Sequence, residues 1–508
     1  MYIRIIGAGV MGRGIAQWAA VAGNTVELAD ARPESVREAC AFIEDMLDRA
    51  VAKQRMSAEA AAAACERLIP FPTFDAPGDQ VKLVVEAIHE DLQSKIDLFR
   101  RLEQVLPATA VFSTNTSSLS VTRIAAGLDN PERLIGLHFF NPAPLMKIVE
   151  VIPGVHTRPG IAPELVKFVS RCGHRAVVVA DSPGFLVNHS GRGLITEALA
   201  LLEESVAGVE TIDRIARDVL GLRMGPFELT DLTGLDVTAS VITTIWSGFA
   251  NSDRLRPSYL TDNRVAAGLL GRKTGRGFYD YGSDEGARPA EPVIVGDSAR
   301  PVWVTGDGSH AAELRLSLSK AGAMLEDGDR ASAEAIVLVP TWGTTVAAAV
   351  TAQGLPPART LGFDPLSLAT SRRVLALTPT TDLGVARDAA AVLARTENSA
   401  VQNRVSLVHD TPGSVAQRLL SSIVSVAASI AERSIATPTD IDDAVTAGLG
   451  YPHGPLAWGD RIGAAQLLDL QQSLHRNTGD PRYRPTRWVT ERAQLGLPLI
   501  HQRKEIAS

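Results

Sequence analysis

The segment DSPGFLVN (181–188) returns as DTPGSVAQ (410–417), 229 residues later. The same offset carries Asp213 to Asp442, Gly225-Pro226 to Gly454-Pro455, Asp231 to Asp460 and Gly234 to Gly463, with no gap. Such a repeat requires each supersecondary unit to be built twice, so the chain folds as two related halves. Nearer the front, IIGAGVMG (5–12) matches VTGDGSHA (304–311) at an offset of 299, taking Gly7 to Gly306, Gly9 to Gly308 and Gly23 to Gly322. The drop between the two offsets makes the second copy about 70 residues shorter, and much of the loss falls on residues 33–69.

The first thirty residues, MYIRIIGAGVMGRGIAQWAAVAGNTVELAD, read as strand, glycine turn, helix and strand. Gly7, Gly9 and Gly12 have G-x-G-x-x-G spacing. The first permits a tight turn, the second lets backbone approach a pyrophosphate, and the third lets helix pack on strand. The helix N-terminus then faces the phosphates. Asp30, at the end of the second strand, is placed to accept hydrogen bonds from a ribose and to repel a 2′-phosphate, so NAD is expected over NADP. The cofactor set is Gly7, Gly9, Met11, Gly12 and Asp30. The competing reading is a tight βα turn without ligand.

Length and composition narrow the class. A chain of 508 residues suggests about three or four domains. A net charge of −7 argues against a nucleic-acid partner. Cys40, Cys65 and Cys172 are scattered without metal-site or disulfide spacing, so no metal is expected. No apolar run is expected to reach membrane-spanning length, and the N-terminus enters a strand without signal-peptide architecture, so the expected compartment is the cytoplasm.

Strand and helix patterns alternate to about Ala180, as in a doubly wound α/β sheet, and turn helical from there to Tyr281. Expected domains are a Rossmann-like NAD-binding domain (1–181), a helical domain (182–282), a linker (283–298), a degenerate Rossmann-like repeat (299–405) and a second helical domain (406–508). Within the first sheet, GLHFFNPAPLMKIVEVIP (136–153) carries His138 and Glu150 where buried strands usually hold valine or leucine. The repeat acts as an internal control. HFFNP corresponds to LGFDP (361–365) and VEVIP to LALTP (375–379), which puts Leu361 for His138 and Ala376 for Glu150. The fold therefore does not need the polar pair. A carboxylate on one imidazole nitrogen fixes the tautomer and leaves the other nitrogen as a base. Beside a nicotinamide, that pair suits oxidation of an alcohol. A core histidine satisfied by a neighbouring acid is the bland alternative.

GAGVMGRGIA, VVEAIHEDLQSK, STNTSSLS, GLHFFNPAPLMKIVEV, DSPGFLVN, MGPFELTDLTGLD and KTGRGFYDY together resemble the L-3-hydroxyacyl-CoA dehydrogenase family over about residues 1–282, with a degenerate copy beyond. The chain looks most like the long two-repeat bacterial members linked to phenylacetate and short-chain hydroxyacyl-CoA catabolism. The resemblance implies NAD as cofactor and an acyl-CoA substrate. It makes His138 the general base and Glu150 its orienting partner. Ser117 would bond the substrate hydroxyl, and Asn188 would lie near the thioester carbonyl with Asn141 in support. Glu90, Lys95 and Asn115 would line the ribose and nicotinamide, and Lys53 would contact CoA. A solvated helix face is the competing reading of Lys53, and loop capping that of Ser117 and Asn115. NHSGRG replaces the commoner apolar run after Asn188, so Arg192 is read as selecting a terminal carboxylate, as in 3-hydroxyadipyl-CoA. In single-repeat members the helical domains pair into homodimers. Here 406–508 are expected to pack on 182–282 as an internal partner, with further homo-oligomers open. A related sugar-acid or hydroxy-acid dehydrogenase and a non-catalytic NAD-binding scaffold remain as alternatives.

Overall fold

A computed structural model describes residues 1–71, 73–282, 289–398 and 401–503. The first part of the expected linker, 283–288, lies outside the described residues. Two compact units share the chain. One comprises residues 1–189 with 433–449, the other residues 190–432 with 450–508. Compactness thus divides the chain differently from the boundaries at 181, 282, 298 and 405. The first sheet's unit extends to His189, and most of both helical stretches joins the second sheet.

In the first unit the strands are β1 (Tyr2–Ile6), β2 (Thr25–Ala29), β3 (Leu68–Pro70), β4 (Val81–Glu86), β5 (Val111–Thr114), β6 (Leu134–Phe139), β7 (Ile148–Pro153) and β8 (Arg175–Val178). The helices are α1 (Val10–Val21), α2 (Pro33–Ala52), α3 (Ala58–Glu66), α4 (Leu92–Val105), α5 (Val121–Ala125), α6 (Ile161–Arg171) and α7 (Val187–Ser190). The sheet order is β3-β2-β1-β4-β5-β6-β7-β8, and only β6 and β7 run antiparallel. β1 and β4 are near-continuous apolar runs because helices cover both faces of a parallel sheet. A helix from far along the chain, Pro438–Leu449, completes this unit by packing on β7 and β8. Arg175 bonds Asp440 at 2.8 Å, and the Ala180 N–H donates to Ile435 O at 2.8 Å.

The second unit contains α8 (Arg192–Glu203), α9 (Val209–Asp218), α10 (Pro226–Thr233), α11 (Leu235–Gly248) and α12 (Tyr259–Ala266). The second sheet follows: β9 (Val302–Val304), α13 (Ser309–Lys320), β10 (Ile336–Pro340), α14 (Val346–Gln353), β11 (Thr360–Phe363), β12 (Arg372–Leu377), α15 (Leu383–Ala394) and β13 (Arg404–His409). After it come α16 (Ser414–Glu432), α17 (the helix Pro438–Leu449 already placed on the first sheet), α18 (Pro455–Ile462), α19 (Ala464–Thr478) and α20 (Arg487–Leu495).

The second sheet has the order β13-β12-β11-β10-β9. Asp181 caps α5 through the N–H groups of Val121 and Thr122, and Asp410 caps α14 through those of Val346 and Ala347. β10 and α14 therefore stand for β5 and α5, and β9 pairs directly with β10. Among the described residues β4 and α4 have no counterpart, which accounts for the missing residues beyond the 33–69 stretch.

The register corrects one detail of the repeat. Ala376 lies opposite Gly362, as Ile152 lies opposite Gly136, and both glycines sit against the first residue of the following helix, Val346 and Val121, so His138 corresponds to Asp364 and Glu150 to Val374. The second sheet keeps one buried polar group on that rung, Asp364, which accepts from Gln417, but no histidine–carboxylate pair.

In the second unit α8 packs along α16. A buried ionic cluster pins the pair: Glu197 accepts from Arg418 at 2.7 Å, from Arg482 at 3.3 Å and from the Tyr483 hydroxyl at 2.7 Å. Burial alone would raise the Glu197 pKa, but Arg418 and Arg482 hold it below the usual range. Removing one partner of such a pair costs about 3–5 kcal/mol, because the other charge is left buried.

The expectation that no apolar run reaches spanning length needs correction. α16 is long and apolar enough, but 94% of its apolar window is buried within the protein. It reads as the core helix of its unit, and it carries the buried Gln417 and Arg418 inward.

Candidate active site

The glycine turn follows β1. Gly7 has φ +104°, and a Cβ there would stand 2.4 Å from the Ala87 carbonyl oxygen. A Cβ on Gly12 would come 1.7 Å from the Gly7 oxygen, so helix and turn can touch only if that position is glycine. A Cβ on Gly9 meets nothing within 4 Å, which leaves its backbone open to a ligand. Asp30 accepts the Ala8 N–H at 2.8 Å and the Arg32 N–H at 3.0 Å, which fixes its carboxylate beside the turn. Gly7, Gly9 and Asp30 line a cleft of about 690 Å³, and Met11 sits half-buried in the first turn of α1.

His138 on β6 lies directly opposite Glu150 on β7, with Nδ1 2.6 Å from Oε2. Glu150 is fully buried, and its Oε1 accepts the N–H groups of Leu186 at 2.9 Å and Val187 at 2.8 Å. An ionised carboxylate only accepts, so Nδ1 carries the proton and Nε2 is left as the base. Phe140 and Phe185 pack on the ring, with centroids 4.5 and 5.7 Å away. The same two backbone N–H groups that orient Glu150 start α7, which carries Asn188 half-buried on its first turn.

The loop after β5 is held from below. Glu90 Oε1 accepts the Thr116 hydroxyl at 2.6 Å, the Ser117 N–H at 2.9 Å, and the Ser118 N–H and hydroxyl at 3.0 and 2.9 Å. Burial would raise the Glu90 pKa, but the Thr116 hydroxyl, Lys95 and Ser118 outweigh it and leave the pKa lowered. Ser117 stays exposed, with its backbone tied down. Asn115 Oδ1 accepts the Phe139 N–H at 2.8 Å, which links the end of β5 to the strand bearing His138.

Lys95 differs from its expected place along the cofactor. It is only 1% exposed, and its amine is 2.5 Å from Glu86 and 3.3 Å from Glu90. It acts on the site by holding Glu90. Glu86 was not singled out from the sequence, because it reads as an ordinary strand end. It is fully buried and also accepts the Thr114 hydroxyl at 2.6 Å, and its burial raises its pKa. Lys53 is exposed just past α2, and Asn141 is exposed after β6. Arg192 opens α8 in the second unit. Burial outweighs the attraction of nearby Tyr451 and lowers its pKa to about 10. The segments around Gly225-Pro226 and KTGRGFYDY pack on each other. Asp213 accepts the Phe227 and Glu228 N–H groups and the Tyr279 hydroxyl, and Asp231 accepts the Phe278 and Tyr279 N–H groups and the Tyr281 hydroxyl.

A doubly wound sheet with a glycine turn at one strand end, and an imidazole held by a buried carboxylate at another, is the plan of a dinucleotide-dependent dehydrogenase. The chain belongs to the 3-hydroxyacyl-CoA dehydrogenase family. The family's NAD-binding domain matches residues 2–182, and its C-terminal domain matches twice, at 184–281 and at 413–504. It is 34% identical over 499 residues to 3-hydroxyadipyl-CoA dehydrogenase of Escherichia coli (strain K12), covering 97% of both chains. A 3-hydroxybutyryl-CoA dehydrogenase of Bradyrhizobium diazoefficiens is 40% identical over 287 residues, 56% of this chain and 96% of that protein. The crystal structure of 3-hydroxybutyryl-CoA dehydrogenase from Escherichia coli K12 superposes with a TM-score of 0.83 at 33% identity, covering 97% and 98% of the two chains. The enzyme is an oxidoreductase and its cofactor is NAD. The open face of Gly9 and the placement of Asp30 fit that cofactor.

Proposed function

We propose that the protein oxidises short-chain (S)-3-hydroxyacyl-CoA to 3-oxoacyl-CoA, with His138 as general base. The observation that carries this reading is the 2.6 Å bond between His138 and the fully buried Glu150. Bound NAD supplies the hydride acceptor. His138 Nε2 takes the proton of the substrate's 3-hydroxyl as the C3 hydride departs, and the C–O bond becomes a carbonyl. Glu150 stabilises the imidazolium that results. Ser117 holds the hydroxyl oxygen, and Asn188 lies toward the thioester carbonyl with Asn141 beside it. Glu90, itself held by Lys95, keeps the serine loop in position, and Asn115 ties that loop to β6. Lys53 meets the CoA moiety. A panel of 3-oxoacyl-CoAs, with NADH consumption followed, tests the substrate class. Turnover of none of them would overturn it.

A dicarboxylic chain is the favoured substrate, and Arg192 its selector. The planar fork of a guanidinium bonds a carboxylate in two places, which suits a chain that ends in one. Arg192→Leu is expected to lower the ratio of adipyl to butyryl activity by at least tenfold, and an unchanged ratio would sink the assignment.

The second half serves as an internal partner for the first helical stretch, in place of the second subunit of a homodimer. Its support is the packing of α8 along α16 and the unbroken repeat of turn and packing residues.

A further inference from the structure

The second sheet keeps a cleft at its own strand-to-helix turn. It encloses about 950 Å³, and its lining includes Thr305, Gly306, Asp307, Asp329, Arg330 and Ala331. Displaced by 299 positions, these are Ile6, Gly7, Ala8, Asp30, Ala31 and Arg32, and all six line the NAD cleft of the first sheet. Strand register supports the mapping apart from any sequence match. Ile3 pairs with Val26 in the first sheet, and Val302 bridges Leu325 in the second, each displaced by the same 299. Gly306 keeps the left-handed turn at φ +88°. Asp329 therefore matches Asp30 in position and lines its own cleft, with a single bridge in place of the five-rung pairing of β1 and β2.

What changed between the clefts is chemically specific. Arg330 replaces Ala31, beside the ribose-binding position. Arg315 replaces Ala16 and donates to the carbonyls of Val304 and Gly306, both at 2.6 Å, which brings a guanidinium against the turn. Neither arginine is in an ion pair among the described residues. Glu326 is engaged by the N–H and hydroxyl of Ser332. Among the described residues β4 and α4 have no counterpart here, nor do Glu86, Glu90 and Lys95, on which the far half of the NAD site is built. In their place the Thr305 hydroxyl bonds Gln353, and Gly354 to Pro356 wall the cleft. The ribose-and-phosphate half survives without the nicotinamide half. Arg315 and Arg330 stand in it while Ala312 and Ala331 replace Arg13 and Arg32, and its lining sets Arg315, Arg330 and Arg359 beside Asp307, Glu326, Asp327 and Asp329.

We propose that this second cleft binds a nucleoside diphosphate. Its ribose hydroxyls bond the Asp329 carboxylate, and its phosphates lie between the start of α13 and the Arg330 guanidinium. Asp307, in place of Ala8, adds a carboxylate near the phosphates and favours the magnesium complex of the diphosphate over the bare anion.

The test is calorimetric titration of ADP, with magnesium, into the full chain already saturated with NAD. One ADP per chain is expected. Asp329→Ala and Arg330→Glu should each weaken it at least tenfold while kcat at saturating NAD is unchanged. Inorganic pyrophosphate should bind at least tenfold more weakly than ADP, since it lacks the ribose. The proposal is overturned by absence of ADP binding to the NAD-saturated chain, by variants that bind as the parent does, or by pyrophosphate equal to ADP.

Discussion

Gly193 lies against Ser422, its own counterpart 229 residues on. A Cβ at Gly193 would stand 2.9 Å from the Ser422 carbonyl oxygen and 2.9 Å from Ile423 Cα. A residue facing its own repeat mate marks a local two-fold relation between α8 and α16. The backbone repeats the pattern elsewhere. The Ala180 N–H donates to Ile435 O, and the His409 N–H donates to Val206 O, both at 2.8 Å, with donor and acceptor exchanged by the same offset. Gly193→Leu is expected to force the helices apart at a cost of about 1–3 kcal/mol. Denaturant unfolding should show the loss, with NAD affinity retained. An unchanged midpoint would mean that the close crossing matters little.

His138→Gln should lower kcat by about 10²–10⁴-fold while NAD binds as before, because base and glycine turn stand on different strands. Glu150→Gln keeps the shape and two acceptor contacts but no longer stabilises an imidazolium, so kcat should fall with less effect on KM. Steady-state kinetics beside NAD titration decides it. A near-normal rate in the folded His138 variant would remove the residue from the mechanism.

Asp30→Ala should narrow the preference for NAD over NADP. The carboxylate fixed beside Ala8 repels a 2′-phosphate and accepts from ribose hydroxyls. The ratio of kcat/KM for the two cofactors measures this, and equal efficiency in the parent enzyme would contradict the assignment.

A chain ending at Tyr281 loses α16, against which α8 packs, and the helix that completes the first unit. It should form homodimers or aggregate, seen by light scattering after size exclusion. If it were a stable, active monomer, the second half would not be an internal partner.

The parts of the site written in local spacing were legible in the sequence. The three glycines and Asp30 lie within thirty residues, and His138 and Glu150 were conspicuous as polar residues in apolar strands. Long-range pairing was not legible. Lys95 was expected along the cofactor from the family resemblance, and only the fold shows the two carboxylates that let it be buried. Glu86 reads as an ordinary strand end, and its partners Lys95 and Thr114 come from other elements. In the second sheet, matching HFFNP to LGFDP misplaced the cross-strand rung, since the register there follows from pairing and not from motif letters. The position of α17 on the first sheet left no local signal at all.

That helix has a consequence in time. Residues 433–449 finish a unit whose other 189 residues are made first. At roughly 5–20 residues per second, synthesis of the intervening stretch takes about 13–50 s. Through that interval the nascent chain holds β7 and β8 with the face meant for α17 uncovered. The NAD-binding half is the first to be translated and yet among the last to be closed, so a ribosome-bound chain has an apolar face that chaperones can recognise.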